Sequence, residues 1–242
     1  MIKLINFRIK GRFGHFLRAD AGASAISYPV PPRTVLMGIA GAVLGLAKDR
    51  PQVALEPMEV ALAGKIPQTH WHKAKLRKDP PDSLPYEVKR NQKQEKITKP
   101  EKATLINQEW LFEPSYEVWA GLPEPYHSEL EGRLKERRWY FQPHLGLSEM
   151  MADLEYIGTV DAEKLTEGIY PVETVMMLEQ VKPDIERIYS DKLAVNILRM
   201  PRTVSPERVF DHARYLMERE GRPVPVRTAG AYLAGKKVLM FL

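Results

Sequence analysis

Cations and flat rings crowd together between residues 69 and 78. His70, Trp71, His72, Lys73, Lys75 and Arg77 fall within eight positions. Single-stranded RNA is held by cations on its phosphates and by aromatic rings against its bases, so this interleaving suits that ligand. A solvated, unpartnered loop has the same composition, and the stretch alone leaves both readings open. If about five of these cations met phosphates, log affinity would fall with log salt at a slope near −3.5.

A second candidate lies at Ser27-Tyr28-Pro29-Val30-Pro31-Pro32-Arg33-Thr34. Prolines suit the entrance of a helix, where the first turn needs no backbone donor. A helix N-terminus presents free N–H groups and positive potential, which favour phosphate. Arg33 and Thr34 sit at that point, and Tyr28 is placed to stack on a base. The alternative is a proline-stiffened helix start with no ligand.

Other chemistries find less support. His70 and His72 share one face of a strand, a spacing zinc can use, but no third ligand is evident nearby, so no metal is assigned. With no cysteine in 242 residues, disulfides, thiolate metal sites and cysteine nucleophiles are excluded. Metal-free RNA cleavage needs a general base, an acid and a cation. His15, His72, Tyr28 and Lys73 are the residue types for it, yet nothing in their spacing gathers them. No phosphate-binding Gly-rich loop, nucleophile elbow, H-E-x-x-H or dinucleotide fingerprint occurs. No catalytic residue and no cofactor is assigned.

Charge singles out the same region. The net charge is +5, yet residues 65–102 hold eleven Lys and Arg against five Asp and Glu. The remaining residues carry 25 basic and 26 acidic side chains, close to balance. A local cationic excess on an otherwise neutral chain points to a polyanion. The N-terminus reads as strand rather than secretory leader, and the apolar run 35–47 is too short to span a bilayer. A cytoplasmic protein without a membrane partner is expected.

The elements that must position these residues follow from periodicity. Residues 2–10 alternate as a strand, and a basic, glycine-punctuated turn follows at 11–18. A helix is expected over 33–47, with Gly38, Gly41 and Gly45 on one stripe pressed against a sheet. A strand over 53–66 leads into the basic segment, whose proline-rich tip is at 79–85. Strand character returns over 103–119, broken at Pro114. The two flanks form a long basic hairpin. Ser128 and Glu131 have capping-box spacing, placing a second helix start there, with Arg133, Lys135, Arg137 and Arg138 at its far end. A strand over 154–160 completes the order strand, helix, strand, strand, helix, strand, which is the ferredoxin-like order. Residues 205–217 fit a helix by spacing, while the stretch around Glu220-Gly221-Arg222 fits a hairpin equally; 236–242 read as a terminal strand. The expected division is 1–165 and a C-terminal region, 166–242.

The run from Ser27 to Leu46, SYPVPPRTVLMGIAGAVLGL, resembles the N-terminal signature of the CRISPR-associated Cas-five family. Pro143-His144-Leu145-Gly146-Leu147-Ser148-Glu149 is similar to that family's proline, leucine-glycine and serine motif. The resemblance implies an α+β fold: a ferredoxin-like RAMP domain (RRM-like) with a β-hairpin thumb inserted at about 65–105, and a smaller β-rich C-terminal region. It implies a subunit of a type I surveillance complex (Cascade), similar to type I-B, in antiviral defence. Its partners would be the crRNA 5′ handle, the backbone subunit and the large subunit, with target DNA reached indirectly. The arm then becomes the thumb, with His70, Trp71, His72, Lys73, Lys75 and Arg77 on RNA. The turn carrying Arg12, His15 and Arg18, and the junction carrying Tyr28, Arg33 and Thr34, become the cradle of the handle. One branch of the family cuts its own precursor RNA with a tyrosine in the first helix and a lysine-histidine pair. Here Leu44 stands near that tyrosine position and only the reversed pair His72-Lys73 occurs. A non-cleaving scaffold is therefore expected. A metal-independent endoribonuclease acting on repeat RNA is the alternative, and a generic single-strand binder a third reading.

Overall fold

The structure is a computed structural model describing residues 1–22, 24–77, 103–205 and 207–242. In chain order the strands are β1 (Ile2–Lys10), β2 (Phe13–Gly14), β3 (Phe16–Leu17), β4 (Ser27–Tyr28), β5 (Glu59–Ala63), β6 (Gln68–Arg77), β7 (Ala103–Phe112), β8 (Ser115–Gly121) and β9 (Asp153–Lys164). They continue as β10 (Gly168–Val172), β11 (Met176–Met177), β12 (Lys182–Pro183), β13 (Val195–Val204), β14 (Phe210–Glu218), β15 (Val224–Thr228), β16 (Tyr232–Ala234) and β17 (Lys237–Leu239). The α-helices are α1 (Arg33–Leu44), α2 (Pro51–Ala54), α3 (Tyr126–Glu136) and α4 (Ile185–Ser190).

A nine-stranded sheet in the order β12-β15-β10-β17-β16-β9-β1-β8-β5 forms the frame. Within it β1 pairs antiparallel with both β8 and β9, and β5 pairs antiparallel with β8. Along the chain β1, α1, β5, β8, α3 and β9 follow in that order, with β2–β4, α2, β6 and β7 between them. Alternation sorts the side chains to two faces. Ile5, Phe7 and Ile9 of β1 join Val60, Leu62, Val118 and Ala120 under Leu36, Met37, Ile39 and Val43 of α1 and Leu130 and Leu134 of α3. The opposite face holds Leu4, Ala61, Trp119, Ala162, Ala234 and Leu239. Residues 166–242 extend this same sheet, since β16 pairs with β9, and the Leu242 N–H donates to the Val60 carbonyl.

Helix α1 begins as the prolines dictate, with Pro32 extended at the N-cap and no side-chain cap. It stops three residues short of 47, because Gly45 adopts the left-handed conformation (φ 78°) and its N–H returns to Ala42. The three glycines therefore do not share one role. A Cβ on Gly41 would collide with the Pro51 ring, so this glycine admits α2, whereas Gly38 has nothing within 4 Å.

Two further expectations are corrected and one open reading is decided. The span 53–66 is not one strand: Pro51 at the first helical position starts α2, and the strand begins only at Glu59. Helix α3 starts at Tyr126, two residues before the expected cap. Glu124 takes the N–H and hydroxyl of Ser128, and Glu131 faces Tyr156 and Thr159 instead of closing a box. Residues 210–218 are strand β14, paired antiparallel with β13, and not helix. The apolar spacing there also fits alternation, since Tyr215 and Met217 turn to the core while Leu216 packs with Val172, Met176 and Val226. Among the described residues no helix is long and apolar enough to cross a membrane.

Candidate nucleic-acid interface

Strands β6 and β7 pair antiparallel along their whole length, from Gln68 opposite Phe112 to Arg77 opposite Ala103. They are inserted between β5 and β8 and belong to a separate three-stranded sheet, tied to the body by β2 through Phe13 opposite Phe112. The proline-rich tip lies outside the described residues.

Alternation divides this ladder into two faces. One carries Trp71, Lys73 and Lys75. All three are exposed, and Trp71 retains 54% of its surface. Across the ladder Lys73 meets Asn107 and Lys75 meets Leu105, so neither cation has a carboxylate directly opposite it in the register. Glu109, opposite Trp71, is engaged instead, its carboxylate accepting from the Ser27 N–H at 3.0 Å. The other face carries His70 and His72 opposite Trp110 and Gln108. His72 stacks on Trp110 with ring centroids 4.1 Å apart, and Phe13 packs against Trp110 and Phe112. Among the described residues no cluster of metal-ligating side chains includes the two histidines.

This second face leads into a cleft of about 420 Å³. Ile106 and Gln108 of β7 form one wall, and His15, Tyr28, Pro32 and Thr34 form another. Gly146 and Leu147 of the Pro143–Glu149 loop and Pro201 and Phe210 of the β13–β14 pair complete it. The turn 11–18, the Tyr28–Thr34 junction and the 143–149 loop, far apart in the sequence, thus line one cleft. The contact is direct: the His15 N–H donates to the Leu145 carbonyl at 2.8 Å. Gly146 (φ 100°) lies so close that a Cβ would overlap the His15 carbonyl. The N-terminal end of α1, bearing Pro32 and Thr34, opens on this cleft with the positive end of its dipole.

His15 is buried, with Nδ1 2.8 Å from the Glu109 carbonyl. A carbonyl only accepts, so Nδ1 carries the proton and Nε2 is left as an acceptor in the neutral ring. The Tyr28 hydroxyl accepts from the Ala19 N–H, and burial pushes the phenol pKa up. Arg18 lies over the Tyr28 ring and is engaged by both carboxylate oxygens of Asp20. Arg12 is exposed above Phe13.

Arg33 departs from expectation. It points inward, retaining 6% exposure, and its guanidinium donates to the carbonyls of Glu56, Met58 and Arg202. Burial lowers its pKa. It ties α1 to the segment before β5 and to β13, and is not placed to meet a phosphate in the cleft. The sequence reading also missed Gln108, Pro201 and Phe210. Phe210 was hidden by the helical spacing of its neighbours. Gln108 stands between Asn107 and Glu109 in β7, so its residue type did not mark it as a cleft-lining position.

A family model described as "CRISPR-associated protein (Cas_Cas5)" matches residues 4–219. Among solved structures, a chain described as "CRISPR RNA-guided surveillance complex" superposes with TM-score 0.54 at 13% identity, covering 92% of this chain and 91% of that one. The crystal structure of a CRISPR protein from Archaeoglobus fulgidus gives TM-score 0.55 at 15% identity, covering 99% and 98%. At these identities the likeness shows the fold. No curated protein matches the chain.

Proposed function

The chain belongs to the CRISPR-associated Cas5 family, and we propose that it is a non-cleaving, RNA-gripping subunit of a type I CRISPR surveillance complex. In this reading the block β9-β1-β8-β5 with α1 and α3 is the ferredoxin-like RAMP core, and the β6–β7 arm is its thumb. The crRNA 5′ handle follows the arm into the cleft. Trp71, Lys73 and Lys75 engage one side of the chain, while bases enter beside Gln108, Tyr28 and the Nε2 of His15. The backbone and large subunits dock on the assembled ribonucleoprotein, which works in the cytoplasm.

The observation carrying this reading is the pairing of β6 with β7, which projects cations with no carboxylate opposite them beside a cleft lined by the signature residues. A non-cleaving role is supported by how the candidate acid-base groups are used. His15 is held on Glu109 and Tyr28 on Ala19, while His72 lies against Trp110. None of these contacts joins one candidate to another, although His15 and Tyr28 both line the cleft, and general acid-base chemistry would need them to converge on one bond. The test is titration of repeat-derived handle RNA, with scrambled RNA of equal length as reference. Preferential binding of the handle without cleavage supports the reading, and equal binding of both favours a generic single-strand binder.

A further inference from the structure

A second cleft, sharing no lining residue with the first, is built around an irregularity in β13. The β13–β14 ladder runs in register to Pro201 opposite His212 and resumes at Thr203 opposite Asp211. Arg202 is therefore the extra residue of a bulge. A bulge bends its strand and re-aims the side chain it carries. Pro201 lines the first cleft, whereas Arg202 faces a separate opening of about 440 Å³ with Glu59, Lys164, Gln180, Tyr232 and Phe241. These six residues come from widely separated parts of the chain.

The charge balance of this opening is uneven. The Arg202 Nε is buried and has no hydrogen-bond partner. Arg33 lies behind it with its donors spent on carbonyls, including that of Arg202 itself. Lys164 sits exposed at the rim. Against these three cations Glu59 is the one carboxylate among the described residues lining the cleft. Burial raises the Glu59 pKa, against the opposing pull of Arg33 and Arg202. A buried Nε–H lacking a partner is unfavourable unless an acceptor completes it, and the planar guanidinium fork that carries it fits phosphate. The rest of the lining suits the other half of a nucleotide. Tyr232 and Phe241 form an aromatic wall with centroids 4.8 Å apart, and Gln180 and Glu59 offer an amide and a carboxyl to a base edge.

We propose that this second cleft binds a nucleoside phosphate, its phosphate on Arg202 and Lys164 and its base against Tyr232 and Phe241. The same chemistry is presented by a free nucleotide and by the phosphorylated end of an RNA chain. The site stands independently of the handle-binding reading.

The test is a titration of the full chain, labelled at methionine methyls, with adenosine 5′-monophosphate, adenosine and inorganic phosphate, reading the Met177 methyl that lines this cleft. Saturable shifts are expected with the nucleotide, with affinity at least tenfold weaker for adenosine. Lys164→Ala, a rim change that leaves the core intact, and Arg202→Gln should each weaken nucleotide binding at least tenfold. Combined Lys73→Ala and Lys75→Ala should leave it unchanged. Tighter binding of a 5′-phosphorylated tetraadenylate than of its 5′-hydroxyl form and of the mononucleotide would identify an RNA end; equal or weaker binding would identify a free nucleotide. An unmoved Met177 methyl, or affinity indifferent to Lys164→Ala, overturns the proposal.

Discussion

The imidazole of His72 lies on the indole of Trp110, and that indole donates through Nε1 to the Gln108 side chain at 3.2 Å. Gln108 lines the cleft, so a short chain of contacts links the arm's histidine face to the pocket where the signature residues converge. His72→Ala should change the near-ultraviolet circular dichroism of Trp110 and lower handle-RNA affinity. Cleavage of repeat RNA should be absent before and after the change.

Trp71 stands on the opposite face with half its surface open. A base stacked there contributes about 1–3 kcal/mol by alanine substitution. Trp71→Ala is therefore expected to weaken handle binding by roughly 5- to 150-fold with little change in thermal midpoint, measured by fluorescence anisotropy and calorimetry.

Arg33, expected from the sequence on the ligand, spends its donors on carbonyls inside the protein. Arg33→Leu leaves the carbonyls of Glu56 and Met58 without this donor. Each buried orphaned acceptor costs about 1–3 kcal/mol. A loss of at least about 2 kcal/mol in denaturant unfolding is expected, with handle affinity of the folded protein unchanged.

Two glycines should respond in opposite directions. Gly146→Ala meets both a positive φ and the His15 carbonyl, so it should destabilise the chain by roughly 1–3 kcal/mol and distort the cleft. Gly38→Ala adds a methyl where nothing lies within 4 Å and should stabilise α1 by up to about 1 kcal/mol. Paired thermal melts decide both.

Glu131 links α3 to β9, accepting from Lys135, Thr159 and Tyr156, and these contacts pull its pKa down to about 2. A depressed folded-state pKa gives stability that is complete above the ordinary carboxylate value of 4.5 and is lost as pH falls toward 2. Glu131→Gln should flatten the acid limb of stability against pH between those values, while changing little about its shape near neutrality.

Much of the frame was legible because alternation and helical spacing are local properties. β1, the start of α1 and the break at Pro114 follow directly from residue order. Boundaries set by tertiary contact were not. Gly45 reads as one of three similar glycines until its left-handed φ and its neighbour Tyr140 are known. The stretch 205–217 stayed open because its apolar residues fit helical spacing while Ala213, Tyr215 and Met217 also alternate, and only pairing with β13 chooses strand. For the site, the arm's cations and rings were readable from composition. The inward turn of Arg33 was not, because its partners are backbone carbonyls of Glu56, Met58 and Arg202, which no residue type announces. Likewise, the meeting of the 143–149 loop with His15 depends on a chain reversal over more than a hundred residues.

The most direct measurement is handle-RNA affinity against salt in EDTA for the wild type and the Lys73→Ala/Lys75→Ala/Arg77→Ala variant, with RNA integrity read on the same samples. Each lost phosphate contact on a single strand reduces the slope by about 0.7, so a decrease of roughly 2 is predicted, with weaker binding and intact RNA throughout. An unchanged slope and affinity, or specific cleavage by the wild type, would contradict a cationic arm that grips RNA without cutting it.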